Sequence, residues 1–151
     1  MGLDYYQMFK HILPLSILLI LIITVGCQSS EGSIQASLDK EFSLSMGQTA
    51  ELKGEGITIQ FEGIQEDSRC PKGATCFWAG RVVSVLLIND NGLTSRIVLI
   101  EPDTTGESGQ NTYKQYQFTS SVQPYPELGK QISKDDYRLF LTVKKIAAGT
   151  D

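Results

Sequence analysis

The chain has 151 residues, which is enough for one domain of ordinary size and too few for two. Hydrophobic residues make up 41% and charged residues 20%, and this composition excludes a chain that is disordered throughout. The 13 lysines and arginines stand against 17 acidic residues, for a net charge of −4. No basic stripe is present that would neutralise phosphates, so the charge pattern disfavours nucleic-acid binding.

An apolar segment near the N-terminus predicts an export signal. Residues 12–25 read ILPLSILLILIITV, which is about the length of a signal-peptide core and shorter than the roughly 20 residues that cross a bilayer. Gly26 and Cys27 end this segment, and a polar stretch follows. Small residues directly before a cysteine at this point resemble the lipobox of bacterial lipoproteins. The resemblance implies cleavage before Cys27 and lipid on that residue, with palmitate among the acyl chains; a plain membrane anchor and an ordinary cleaved signal are the alternatives.

This interpretation divides the chain into three parts. Residues 1–26 are the lipoprotein signal peptide, with an apolar helix, and residues 27–39 are a flexible tether poor in apolar side chains. Residues 40–147 are the folded domain, which we expect to face the extracytoplasmic side of a membrane in the cell envelope. A mature chain of this length buries about two thirds of its unfolded surface, so one hydrophobic core is feasible.

Beyond the tether, apolar residues recur with a period of two, which predicts strands. In chain order the expected strands lie near residues 42–46, 49–53, 57–62, 81–88, 93–100, 116–122 and 137–146. Asn91-Gly92 stands between the fourth and the fifth, and this dipeptide is the strongest short-range signal for a hairpin. About seven strands without a convincing helix predict an all-β domain, with an antiparallel immunoglobulin-like β-sandwich as the architecture.

The most distinctive segment is residues 66–80, EDSRCPKGATCFWAG. With Cys27 assigned to lipid, Cys70 and Cys76 are an even pair in an exported chain, so we expect a disulfide between them. A metal site is the first alternative but lacks histidine ligands, and a redox dithiol is the second but usually has a shorter spacing. Trp78 follows directly, and we expect it to pack against the disulfide in the core, with an exposed binding anchor as the alternative.

This segment also resembles a widespread group of small bacterial exported proteins and lipoproteins. The resemblance rests on the pattern DSRCP at residues 67–71, followed by Cys76 and by WAG at residues 78–80. It spans about residues 40–146 and implies that the segment joins two strands. Because the group is functionally uncharacterised, the resemblance implies no particular activity.

Catalysis has few routes in the mature chain. The only histidine, His11, lies in the signal segment, so Ser-His-Asp and Cys-His mechanisms lack a base. A carboxylate-dependent hydrolase is the enzyme alternative, and its candidate residues are Glu62, Glu66, Asp67, Asp103, Asp135 and Asp136. Asn89-Asp90-Asn91 offers oxygen ligands for calcium, but the hairpin turn already accounts for these residues.

Two further hypotheses concern loops. Asp67 beside Arg69 is interpreted as a buried or half-buried ion pair that orders the cysteine segment. Residues 101–106, EPDTTG, partly resemble the NPTTG loop of chagasin-type cysteine-protease inhibitors, which makes protease inhibition another alternative.

Together these patterns predict a lipid-anchored envelope protein without enzymatic activity, cofactor or metal. Its domain is expected to act as a binding or envelope-maintenance module for an envelope protein or ligand that the sequence does not identify. Loops at the ends of sandwiches commonly carry function, so we expect the contact surface on the cysteine segment, with Asp67, Arg69 and Trp78 as candidate residues, and on the loop 101–112.

Overall fold

The computed structural model describes residues 32–102 and 111–146. The predicted signal peptide with its helix, the lipidation residue Cys27 and most of the inhibitor-like loop lie outside these ranges. In the described ranges, no helix is long and apolar enough to cross a membrane.

Nine strands and one short 3-10 helix form within the described residues. The strands are β1 Ile34–Ala36, β2 Phe42–Ser45, β3 Thr49–Leu52, β4 Ile57–Asp67, β5 Val82–Asp90, β6 Leu93–Glu101, β7 Thr112–Tyr113, β8 Tyr116–Gln123 and β9 Arg138–Lys145, and the 3-10 helix is Lys134–Asp136.

The strands form two sheets, in the orders β1-β3-β4-β5-β6 and β2-β9-β8-β7. Neighbouring strands pair antiparallel, apart from β1 and β3, which run parallel. The predicted all-β class is confirmed, and two sheets agree with a β-sandwich. The strand count exceeds the expected seven because β1 and β7 have only three and two residues, too few to show an alternating pattern.

Side chains from both sheets build one hydrophobic core. The period of two predicts its membership well: alternate residues of β4 and β9 are buried, namely Ile57, Ile59, Phe61, Leu139, Leu141 and Val143. The nearly continuous run of apolar residues in β5 corresponds to burial on both faces of the strand. Val82, Leu86 and Ile88 belong to the main core cluster, whereas Val83 and Val85 are buried outside that cluster.

The predicted hairpin between β5 and β6 is confirmed. Asp90 pairs with Leu93, and the two residues between them, Asn91 and Gly92, have φ angles of 51° and 88°. A turn with both central residues at positive φ fits the right-handed twist of the strands, which explains the Asn-Gly pair. The Asp90 carboxylate accepts a hydrogen bond from the Lys114 ammonium group, so the oxygen considered for calcium has a protein partner here.

The expected tether is wrong over its last part. Ile34, Gln35 and Ala36 pair with Ala50, Glu51 and Leu52, and Ala36 is buried in the core. The folded domain therefore includes residues that the polar composition of the segment assigned to a flexible linker.

Candidate functional site

The cysteine loop, residues 68–81, prolongs the hairpin of β4 and β5 beyond the sheet. Asp67 and Val82 are the last pair of the two strands. The Ser68 amide then donates to the Arg81 carbonyl at 2.8 Å, and the Cys70 amide donates to the Ala79 carbonyl at 2.8 Å. The loop is thus an ordered projection at one end of the domain.

A disulfide closes the end of this projection. Cys70 and Cys76 are bonded, as predicted. Inside the ring the Ala74 amide donates to the Pro71 carbonyl at 3.0 Å, and Gly73 has a φ of 86°. The bond and the turn restrict the conformations open to residues 70–76.

Gly80 allows the two arms of the loop to approach each other. A Cβ atom at this position would lie 1.8 Å from the Ser68 carbonyl oxygen and 2.9 Å from the Arg69 Cα. The φ of Gly80 is also +71°, a conformation that side chains disfavour. Only glycine satisfies both conditions.

A buried ion pair supports the loop from below. The Arg69 guanidinium contacts the Asp67 carboxylate through Nη2 at 2.7 Å and Nε at 2.8 Å, and its Nη1 donates to the Val122 carbonyl at 2.7 Å. Nη2 also donates to the Pro124 carbonyl at 3.1 Å. The predicted pairing is confirmed, and Arg69 joins the loop to the end of β8.

The charged form of Asp67 is favoured at this site. Burial alone would raise its pKa, but hydrogen bonds and charge from Arg69, with a hydrogen bond from the Tyr137 hydroxyl at 3.0 Å, hold the pKa below its ordinary value. Glu101 behaves in the opposite way: burial raises its pKa, although its carboxylate accepts a hydrogen bond from the Val122 amide at 3.0 Å.

A second contact joins the loop to the segment that follows β8. The Lys72 amide donates to the Pro126 carbonyl at 2.8 Å, and the Leu128 amide donates to the Lys72 carbonyl at 3.0 Å. The Tyr125 ring lies against the Arg69 guanidinium, with 4.9 Å from Cζ to the ring centroid. Backbone and aromatic contacts therefore fix the loop on two sides.

Two adjacent aromatic residues protrude from this fixed loop. Phe77 is 99% exposed and Trp78 is 73% exposed, and their rings meet edge to face with centroids 6.4 Å apart. We call this pair the aromatic tip. The expectation that Trp78 packs in the core is wrong, because the prolonged hairpin carries it beyond the last strand pair, Asp67 and Val82. Leu128, beside Gly73, adds a further exposed apolar side chain.

The structure separates the predicted site residues into two groups. Cys70, Cys76, Asp67 and Arg69 hold the loop, and the two charged side chains are too buried to offer a contact surface. Trp78 is accessible, and so is Phe77, which the sequence reasoning did not single out. The signal that could have identified Phe77 is the presence of two large aromatic residues between a disulfide cysteine and a glycine in a hairpin.

Three of the six carboxylates considered for hydrolysis, Glu62, Glu66 and Asp67, form ion pairs with arginine, and Asp103 lies outside the residues that the structure describes. Glu62 pairs with Arg96 and Glu66 pairs with Arg81, each at 3.0 Å. In residues 32–102 and 111–146 no group of three or more His, Cys, Asp or Glu side chains is placed to hold a metal ion.

Comparison with known proteins adds no relative to this description. No protein-family model matches the chain, and no curated protein or solved structure matches it either.

Proposed function

We propose that this chain is a lipid-anchored protein of the cell envelope whose domain, an immunoglobulin-like β-sandwich, is a non-enzymatic binding module. The observation that carries the proposal is the exposure of Phe77 and Trp78 on a loop that is itself fixed. Large apolar side chains that water surrounds on a well-ordered loop are typical of contact surfaces.

The rigidity of the loop supports a binding role. The disulfide, the Arg69 contacts and the close approach at Gly80 restrain the backbone on either side of the tip. A contact surface that is ordered before binding loses little conformational entropy when it meets its partner. Exposed aromatic residues are also the side chains that most often dominate binding energy.

Two observations support the envelope location. The small residues before Cys27 resemble a lipobox, and a disulfide such as Cys70–Cys76 is typical of chains in oxidising compartments. The similarity to the group of small bacterial exported proteins and lipoproteins is part of the same proposal. Asp67, Arg69 and Gly80 of the shared pattern have clear structural roles in the loop.

Metabolic labelling tests the anchor. Cells that express the wild-type chain or the Cys27→Ser variant receive a palmitate analogue. We expect label on the wild-type chain and none on the variant, and equal labelling of the two chains contradicts the anchor.

Capture in the native envelope tests the binding surface. The wild-type chain, a Phe77→Ser/Trp78→Ser variant and a Leu93→Ser control are crosslinked in the envelope and isolated. Leu93 is 62% exposed but begins β6, where it pairs with Asp90 at the end of β5 away from the cysteine loop, which makes it a matched apolar control. We expect the same bound material with the wild-type chain and the control, and its loss with the tip variant. Equal capture by all three chains contradicts the proposed surface.

A further inference from the structure

The direction of β1 shows which end of the sheet its first residue faces. β1 runs parallel to β3, and β3 runs antiparallel to β4, so β1 begins towards the end at which β4 finishes. Ile34 is level with Ala50, which is level with Ile59. The first residue of β1 therefore faces the end of the sheet that carries Asp67 and the cysteine loop.

The distance along the sheet from the start of β1 to the cysteine loop is similar to the extended length of the chain between Cys27 and Ile34. On β5 the partners of Ile59 and Asp67 are Ile88 and Val82, which are six residues apart. The distance along the sheet from Ile59 to Asp67 is therefore about 20 Å, at about 3.3 Å per residue. Cys27 precedes Ile34 by seven residues, which span about 24 Å when fully extended at about 3.4 Å per residue. The seven residues are thus long enough for a lipid on Cys27 to reach the level at which the cysteine loop begins. They are too short to keep the loop far from the membrane when the loop end of the domain faces that membrane.

The side chains at this end suit the interfacial layer of a bilayer. Phe77 and Trp78 are exposed, and Leu128 lies beside the loop. Tryptophan is enriched at the boundary between acyl chains and headgroups, because its ring is apolar while its N–H can still find a polar partner.

The charge of the loop differs from that of the chain. Residues 68–81 include Arg69, Lys72 and Arg81 and no acidic residue, whereas the whole chain has a net charge of −4. Arg69 is neutralised by Asp67 and Arg81 pairs with Glu66. The third cation, Lys72, is exposed in the same loop, with its ammonium 5.7 Å from the centroid of the Tyr125 ring and in attractive interaction with Glu127. A positive group at this place favours the anionic headgroups of a membrane surface.

We infer that the partner of the aromatic tip is the bilayer itself: Phe77 and Trp78 insert into the interfacial layer of the membrane that carries the lipid on Cys27. The inference rests on the proposed lipid anchor and specifies what the proposed binding surface contacts. The domain then sits on the membrane with its cysteine loop down and the Asn91-Gly92 hairpin up.

Trp78 is the only tryptophan of the chain, so its fluorescence reports on the tip alone. The full lipidated chain is reconstituted into vesicles of phosphatidylcholine and phosphatidylglycerol that contain lipids brominated near the headgroup. We expect a roughly twofold loss of Trp78 emission and protection from aqueous iodide, because insertion by about 5–10 Å brings the indole to the labelled positions. The control is Leu93→Trp in a Trp78→Phe background, for which we expect no quenching by lipid and full access to iodide.

The possible results distinguish failure of membrane insertion by the aromatic tip from failure of the proposed lipid anchor. If the chain floats with vesicles but Trp78 stays open to iodide and unquenched by lipid, the inference is overturned and the anchor stands. Equal lipid quenching in the Leu93→Trp control also overturns it, because the tip then has no preference for the membrane. Protection of Trp78 only after envelope proteins are added overturns it in favour of a protein partner. If the wild-type chain floats no better than Cys27→Ser, the proposed anchor itself fails.

Discussion

The Arg69 guanidinium and the Asp67 carboxylate lie 2.7 Å apart beneath the cysteine loop, with side-chain exposures of only 3% and 9%. A buried charge is tolerated when its partner and its hydrogen bonds compensate the lost hydration. Here the carbonyls of Val122 and Pro124 complete the set for Arg69. The pair thereby connects β4 with the end of β8, and the loop above it has a fixed base.

Arg69→Ala should destabilise the domain strongly. The change leaves the Asp67 carboxylate buried without its partner, and such a loss costs about 3–5 kcal/mol in the free energy of unfolding. Arg96→Ala is the matched control, because its pair with Glu62 is exposed and contributes about 1 kcal/mol at most. Urea unfolding of both variants checks this, and a similar small loss in each contradicts the role of the buried pair.

The stability should also depend on pH through Asp67. Because the folded state lowers the pKa of this carboxyl, its contribution is present above the unfolded value of about 3.9 and is lost as the pH falls through the folded value. The difference in unfolding free energy between wild type and Asp67→Asn should therefore shrink from pH 5 downward. A difference that stays constant between neutral and strongly acidic pH contradicts the assignment.

The Glu101→Gln variant should show the opposite pH dependence of stability. Burial raises the pKa of Glu101 in the folded state, so its contribution is present below the unfolded value of about 4.3 and is lost as the pH rises through the folded value. The glutamine carbonyl can still accept the hydrogen bond from the Val122 amide. Relative to wild type, this variant should gain stability as the pH rises towards neutrality, which the same urea series measures. If the stability of Glu101→Gln relative to wild type falls as the pH rises towards neutrality, the assigned effect of burial on Glu101 is contradicted.

Gly80→Ala should disturb the loop far more than alanine at another glycine with positive φ. The new Cβ would meet the Ser68 carbonyl oxygen, whereas at Gly54, with a φ of +78°, it meets nothing within 4 Å. Gly54→Ala should cost about 1–2 kcal/mol from backbone strain alone. Thermal melting of the two variants compares them, and equal shifts in Tm would show that the close approach does not matter.

The aromatic tip should contribute little to stability. Phe77 and Trp78 are exposed, and surface substitutions away from structural features usually stay within about 0.5 kcal/mol. The Phe77→Ser/Trp78→Ser variant should thus unfold at nearly the wild-type urea concentration. A loss of several kcal/mol would place these side chains in the packing of the domain.

The sequence predicts the elements that depend on local pattern. Ile57, Ile59 and Phe61 alternate with polar residues and are buried in β4, and Asn91-Gly92 forms the expected turn. The predicted disulfide between Cys70 and Cys76 is present, and its prediction rests on the even pair that remains once Cys27 is assigned to lipid.

Other features depend on contacts that leave no local signature. The carbonyls that receive Arg69 belong to Val122 and Pro124, 53 and 55 positions away, and backbone groups carry no residue-specific signal. The strand Ile34–Ala36 is held by parallel pairing with β3, which its mostly polar neighbours do not suggest. Trp78 has a large apolar side chain of the kind that packs in cores. It lies outside the core because the hairpin continues beyond the last strand pair.

The central claim is that the aromatic tip is the contact surface of this domain, and site-specific photocrosslinking in the native envelope tests it most directly. A photoreactive amino acid replaces Phe77 in one full-length chain and Leu93, exposed at the opposite end, in another. We predict adducts from position 77, of lipid if the tip enters the bilayer, and only background from position 93. Adduct yields at position 77 no higher than those at position 93 would contradict the claim.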